Sequence, residues 1–220
     1  MTDCRIYAAC LASYNNGRLH GVWIDADQDE DSINAEIRAM LKASPYPNVM
    51  RADWTCTECG HDWTRDVSEY QAAPTNCPSC ESTSIERGKP YPSAEEFAIH
   101  DHEGFGNLLG EYSPISEVVR LAEAIEEHGD KYVGLRNYGL DHDEAISAIE
   151  EDYCGEYDDL EDWAAQTLDD QGFFGDVPKS CREVIERYFD FKAYGRDCEM
   201  GGDIRTVEGE GRKIHVFYNR

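Results

Sequence analysis

Basic residues are scarce in this chain. Its 220 residues include 20 Lys and Arg against 46 Asp and Glu, a net charge of −26. Such a field repels phosphate backbones and anionic lipid headgroups, so neither nucleic acid nor a membrane is an expected partner. It attracts basic protein surfaces instead, including the clefts of DNA-binding proteins. No apolar run reaches the 18 residues of a membrane-spanning helix. The start, MTDCRIYAAC, has no basic n-region and no long h-region, so no signal peptide is expected. The phosphate-binding and hydrolase signatures G-x-x-x-x-G-K-[ST], G-x-G-x-x-G, G-x-S-x-G and H-E-x-x-H are all missing. No Ser/His/Asp set can be assembled, and no internal repeat stands out. The expectation is therefore a protein that is not an enzyme.

Cysteine is present in an odd number, nine. Cys4, Cys10, Cys154, Cys181 and Cys198 are scattered, which fits free thiols in a reducing, cytoplasmic setting. The other four form C-x2-C-x17-C-x2-C through Cys56, Cys59, Cys77 and Cys80. Each C-x2-C makes a tight knuckle, and two knuckles supply the tetrahedral thiolate set that structural zinc prefers. Gly60 and Ser82, which follow the two pairs, are small enough for backbone to approach sulfur. His61 is a bystander, because a fourth Cys is available. Residues 50–89 read as a ribbon-like insertion with little core of its own, so zinc would supply its folding energy.

Around that insertion the pattern is mixed. Arg5 to Tyr14 reads as a strand, Asn15-Asn16-Gly17 as a turn and Arg18 to Ala26 as a second strand. Asp31 or Ser32 caps a helix with the stripe Ile33, Ile37, Met40 and Leu41, ended by Pro45 and Pro47. Ser93 and Glu96 match a capping box, which places His100, Asp101 and His102 near a helix end. Their HD pair alone is too short to define a hydrolase. Ser116 caps a helix through His128, closed by Gly129. Pro178 opens a helix through Cys181, Val184, Ile185 and Tyr188. Asp203–Val207 and Lys213–Tyr218 form a closing hairpin. The fold class is α+β.

Lys and Arg are absent altogether from 141–176, where fourteen carboxylates fall in thirty-six residues. Thirteen lie within 141–170: Asp141, Asp143, Glu144, Glu150, Glu151, Asp152, Glu156, Asp158, Asp159, Glu161, Asp162, Asp169 and Asp170. Apolar residues interrupt them at helical spacing, Ile146, Ile149 and Tyr153, then Leu160, Trp163, Ala164 and Leu168. The acids therefore sit on folded elements rather than in a self-repelling tail. Laid out as continuous helix, thirty residues span roughly 45 Å. That is about one charge per 3.5 Å, comparable to the roughly 3.4 Å per phosphate of one DNA strand. From composition alone, a solvated acidic face or adaptation to high salt is the preferred reading of such a surface. Phe173 and Phe174, between two glycines, are either a core plug or an exposed contact.

The segments IYAACLASYNNGRLHGVWIDA, EEFAIHDHEGFGNLLGEY and GDVPKSCREVIERYFDFKAYGRDCEMGGDI, with the closing VEGEGRKIHVFYNR, resemble the ArdA antirestriction family in order and spacing. The likeness runs through nearly the whole chain outside the Cys-rich insertion, which departs from shorter members. It implies three small domains in a row, α/β, helical and α/β. Here these correspond to 1–115 (with the insertion at 50–89), 116–146 and 147–220. It further implies a homodimer that mimics bent duplex DNA and occupies the DNA-binding groove of a type I restriction-modification enzyme. The thirteen acids would stand for phosphates. Dimer contact is tied to a motif matching roughly Leu168 to Pro178, which makes Phe173 and Phe174 the contact candidates. The competing reading is a zinc-ribbon regulator that binds nucleic acid or transcription machinery, with the acids merely solubilising.

Overall fold

The computed structural model describes residues 4–67 and 72–219, apart from the side chain of Lys179. Residues 68–71 of the expected insertion lie outside the described residues. The architecture is α+β, and the chain divides into two compact units.

The first unit comprises residues 4–105 and 109–122. Its central sheet has the order β2-β1-β7 and is antiparallel throughout, built from β1 (Arg5–Cys10), β2 (Gly21–Asp25) and β7 (Phe97–Glu103). Helix α2 (Glu30–Lys42) packs on it. Buried Ile33, Ile37, Met40 and Leu41 form the apolar stripe read from spacing. Asp29 is the N-cap, accepting from the Ser32 N–H at 2.8 Å. The cap thus lies two to three residues upstream of the expected Asp31 or Ser32.

Two expectations are corrected here. The strand predicted from Arg5 to Tyr14 stops at Cys10, and Leu11–Asn15 forms a short helix, α1. The Ser13 N–H reaches Cys10 Sγ at 3.4 Å, and the Ser13 and Ser44 hydroxyls meet at 3.0 Å in the interior. These buried contacts turn the chain out of the sheet. The capping box expected at Ser93 and Glu96 is not a helix start either. Ser93 ends the short strand β6 (Tyr91–Ser93), and β7 follows. β1 needs a partner on its second edge, and a distant segment supplies it: Leu11 N–H donates to Glu96 O at 3.1 Å where the two strands meet.

The Cys-rich insertion is a sheet of its own. β4 (Asp62–Asp66), β3 (Val49–Cys56) and β5 (Ile85–Arg87) lie in that order, with β6 also paired to β3.

The second unit comprises Gly106–Leu108 and residues 123–219. Its sheet has the order β8-β10-β9, from β8 (Tyr153–Tyr157), β9 (Ile204–Glu208) and β10 (Ile214–Tyr218). The β9–β10 hairpin is the one expected from sequence, and β8 joins the free edge of β10. Trp163, Ala164, Ile204 and Val216 are buried together, with Leu160, Phe191 and Tyr194 packed against them. Helix α3 (Ile115–His128), whose residues up to Ala122 belong to the first unit, starts one residue before the Ser116 expected to cap it, and Gly129 takes a positive φ of 66° just beyond it. The segment after it is a helix, α4 (Asp130–Tyr138). Gly134 lets α4 close on β9, since a Cβ there would stand 2.7 Å from Val207. α5 (His142–Ser147), α6 (Leu160–Asp170), α7 (Lys179–Tyr188) and α8 (Phe191–Gly201) complete the unit. Among the described residues no helix is long and apolar enough to cross a membrane.

Candidate functional site

The acid-rich stretch is folded, but not as the continuous helix its charge spacing assumed. α5 runs into a π-helical turn, Ala148–Asp152, and the chain then extends as β8 before α6 begins. Tyr153 is thus a strand residue. In the first stripe Ala145 and Ala148 are the buried positions, while Ile146 and Ile149 are only half-buried. The second stripe is as read: Trp163, Ala164 and Leu168 are buried. The reason for the strand is tertiary. β10 has a free edge in the unit, and residues 153–157 complete it. An end-to-end spacing of one charge per rise of helix therefore does not apply.

Of the thirteen carboxylates, eleven are exposed, and Asp152 and Asp162 are half-buried. Several have structural work. Asp141 caps α5 in a reciprocal box with Glu144: the Glu144 N–H reaches Asp141 Oδ1 and the Asp141 N–H reaches Glu144 Oε2, both at 2.9 Å. Asp159 caps α6, accepting from the Asp162 N–H at 2.9 Å. Glu156 meets Lys213 at 2.8 Å, and Asp169 pairs with Arg182. Asp143, Glu150, Glu151, Asp158, Glu161 and Asp170 make no ion pair among the described residues. Carboxylates at the N-termini of α5 and α6 also lie where the helix dipole favours negative charge. The acids thus include caps that hold the helices, groups paired with Lys213 or Arg182, and unpaired charges that face solvent.

The four metal-spaced cysteines converge. Their Sγ atoms all lie within 4.8 Å of one another. Cys56 and Cys80 sulfurs are 3.6 Å apart, and those of Cys59 and Cys77 are 3.7 Å apart. Those separations are too long for disulfides. They match the edge of a sulfur tetrahedron around a metal at about 2.3 Å, which is about 3.8 Å. The donor set therefore fits a metal ion. Each knuckle is closed by a backbone bond back to its first cysteine: Gly60 N–H to Cys56 O at 2.9 Å, and Glu81 N–H to Cys77 O at 3.0 Å. Gly60 and Glu81 both take positive φ, 74° and 60°. The position equivalent to Gly60 is thus Glu81, not Ser82. Without a metal the four thiols compete for charge. The Cys59 backbone N–H brings the Cys56 thiol down to about 7. Cys80 is pushed up to about 12: the Ser82 N–H favours its thiolate, but the Cys59 sulfur, burial and the other two sulfurs outweigh it. Four sulfurs this close cannot all ionise unless a cation neutralises them. His61 stacks on Trp63, ring centroids 5.8 Å apart, and is not among the four ligand candidates.

His100 and His102 sit on β7 rather than near a helix end. His100 falls where the β1–β7 register shifts, is half-buried, and meets the Tyr14 ring edge-on at 4.8 Å. Among the described residues the only group of three or more His, Cys, Asp or Glu able to hold a metal is the cysteine set.

The chain matches the sequence profile of the antirestriction protein (ArdA) family over residues 6–211. It belongs to the ArdA family. The matched span begins in β1, takes in the acid-rich stretch and ends before β10, so ArdA membership rests on most of the chain rather than on one motif. No curated protein matches the chain significantly.

Sequence reasoning left two features of this ArdA chain unseen. Phe173 and Phe174 have opposite fates: Phe174 is 4% exposed against Phe189 and Phe191, while Phe173 is 60% exposed. The two readings of the pair are thus divided one to each residue. Beside them, the apolar stripe of α7 does not enter a core. Val184, Ile185 and Tyr188 are 53%, 40% and 80% exposed. The i, i+3, i+4, i+7 spacing signalled a face but not which way it turned.

Proposed function

We propose that this ArdA chain is an antirestriction protein that works by imitating duplex DNA, occupying the DNA-binding groove of a type I restriction-modification enzyme. Membership of an antirestriction family carries the reading. The net charge of −26 and the exposure of eleven of the thirteen carboxylates between Asp141 and Asp170 support it. A basic groove built for phosphates recognises a folded array of carboxylates by the same charge complementarity. The cationic side chains it meets are many, so no single acid dominates.

The working form proposed is a homodimer of chains, each a row of three small domains, long enough together to fill a DNA site. Phe173 and the outward stripe of α7 offer the apolar contact such a pairing needs, and buried Phe174 supports the turn behind it. Zinc is the metal proposed at Cys56, Cys59, Cys77 and Cys80. Bound there, it would neutralise the thiolates and supply folding energy to an insertion whose core is small. The ligands play a structural part, and no reaction step is assigned to them.

The test is inhibition of type I restriction by the purified protein, with unmodified duplex DNA as competitor. Added duplex should relieve inhibition, and the protein should itself show no affinity for DNA. Binding to the enzyme that is indifferent to both competitor DNA and salt would overturn the mimic.

A further inference from the structure

A cleft of about 380 Å³ lies between helix α2 and the β3–β4 pair, and its two sides carry opposite charge. Arg38 and Lys42, at i and i+4 on α2, line one side. Asp53 and Asp62 line the other. These two acids share a face of the sheet, because Asp53 is opposite Thr64, Thr55 is opposite Asp62, and alternate residues of β3 point the same way. Hydroxyl groups hold both carboxylates in place. Asp53 Oδ1 accepts from Thr64 at 2.8 Å and from Tyr91 at 2.7 Å, and Asp62 Oδ1 accepts from Thr55 at 2.5 Å. Burial, the bond to Asp53 and the Asp53 charge push the Tyr91 phenol up, so it stays a donor. The Lys42 ammonium sits 3.9 Å from the centre of the Tyr91 ring. All four charged residues are exposed, and among the described residues none of them makes an ion pair.

The cleft thus presents two unpaired cations and two hydroxyl-braced anions on separate elements. An anion alone would meet Asp53 and Asp62, and a cation alone would meet Arg38 and Lys42. A molecule carrying both signs a few bonds apart satisfies both sides. We propose that this cleft binds a small zwitterion of the α-amino-acid class, its carboxylate on Arg38 and Lys42 and its ammonium on Asp53 and Asp62. The guanidinium suits a carboxylate through its paired N–H donors. Each aspartate keeps its Oδ2, which accepts no hydrogen bond among the described residues, for an ammonium N–H. Because the hydroxyls fix the carboxylates beforehand, less freedom is lost on binding. All four charges are open to water, so the affinity expected is millimolar rather than nanomolar. The site is independent of the antirestriction reading.

The probe is L-alanine, titrated into the full-length, metal-loaded protein at low salt and slightly acid pH, with amide and side-chain resonance shifts as the readout. L-alaninamide, which lacks the carboxylate, and N-acetyl-L-alanine, which lacks the ammonium, run in parallel. L-alanine should give saturable shifts at Arg38, Lys42, Asp53 and Asp62. Each analogue loses two charged contacts and should bind about tenfold more weakly. Arg38→Gln and Asp62→Asn each remove one, and should each weaken binding about threefold. Both positions are exposed, and Asn keeps an oxygen for the Thr55 hydroxyl, so metal content and the melting transition should stay unchanged. The proposal is overturned if L-alanine gives no saturable shift, if either analogue binds as tightly, or if neither substitution changes the affinity. It is equally overturned if Asp62→Asn moves the Arg38 side-chain resonance in the ligand-free protein as far as the ligand does, which would mean that the two sides pair with each other.

Discussion

Glu81 is a non-glycine residue at φ 60°, in the same knuckle position that Gly60 fills on the other side of the sulfur cluster. A Cβ in the left-handed region costs about 1 kcal/mol, so Glu81→Gly should stabilise the insertion by up to about that amount. Thermal melting of the metal-loaded protein measures it. Cys56→Ser acts in the opposite sense. It removes a buried ligand, and metal analysis should fall from about one zinc per chain toward none while the β8-β10-β9 unit keeps its fold. In that second unit, His215 is 5% exposed and bridges Asp130 at 3.0 Å and Tyr153 at 2.9 Å. His215→Ala leaves both partners short of a hydrogen bond and should cost roughly 1–3 kcal/mol in denaturant unfolding, more than loss of an exposed histidine.

At the scale of elements, Gly195 and Gly134 allow close approach at two helix contacts. A Cβ on Gly195 of α8 would stand 2.6 Å from the Leu160 backbone oxygen, and one on Gly134 of α4 would stand 2.7 Å from Val207. Backbone cannot yield as a side chain can. Gly195→Ala should therefore destabilise more than Gly134→Ala, with the latter in the range of about 1–3 kcal/mol found for overpacking; urea midpoints compare them directly. The acid-rich elements also dictate how their charge is to be tested. Asp141 and Asp159 are helix caps, so removing them confounds charge with folding. Glu150→Gln, Glu151→Gln, Asp158→Asn and Glu161→Gln touch residues with no ion pair among those described. Made singly, each should weaken inhibition little, since an exposed pair contributes roughly 0.2–1 kcal/mol. Made together, they should weaken it several-fold with circular dichroism unchanged. If one carboxylate alone abolishes inhibition, distributed mimicry is wrong.

For the whole molecule, the forecast is a dimer that depends on apolar contact and a partner interface that depends on salt. Light scattering at micromolar concentration should give twice the chain mass of 24.9 kDa. Phe173→Ala with Tyr188→Glu should shift it to monomer, because both residues are exposed on the face concerned. Phe174→Ala should instead lower stability, as its ring is buried. Raising salt from low to physiological and beyond should loosen the enzyme complex progressively, since screening acts on exposed charge with a Debye length of about 8 Å at 0.15 M. A wild-type monomer removes the homodimer.

Local rules were enough wherever the physics is local. The stripe Ile33, Ile37, Met40 and Leu41, the closing hairpin, the positive φ of Gly129 and the convergence of Cys56, Cys59, Cys77 and Cys80 all follow from spacing within a few residues, or from a metal geometry that two knuckles satisfy. The sign and density of charge need only composition, whereas the kind of partner rests on membership of the ArdA family. What the tertiary structure decided is non-local. β7 forms because β1 has a second edge to fill, and β8 because β10 does. In both places a sequence that reads as helix yields to a sheet edge, since unpaired main-chain groups cost more than a local propensity contributes. Periodicity likewise located the faces of α7 and of the phenylalanine pair without their direction. Which apolar residues turn inward depends on neighbours tens of residues away, and that is settled only when the second unit closes around Trp163, Ala164, Ile204 and Val216.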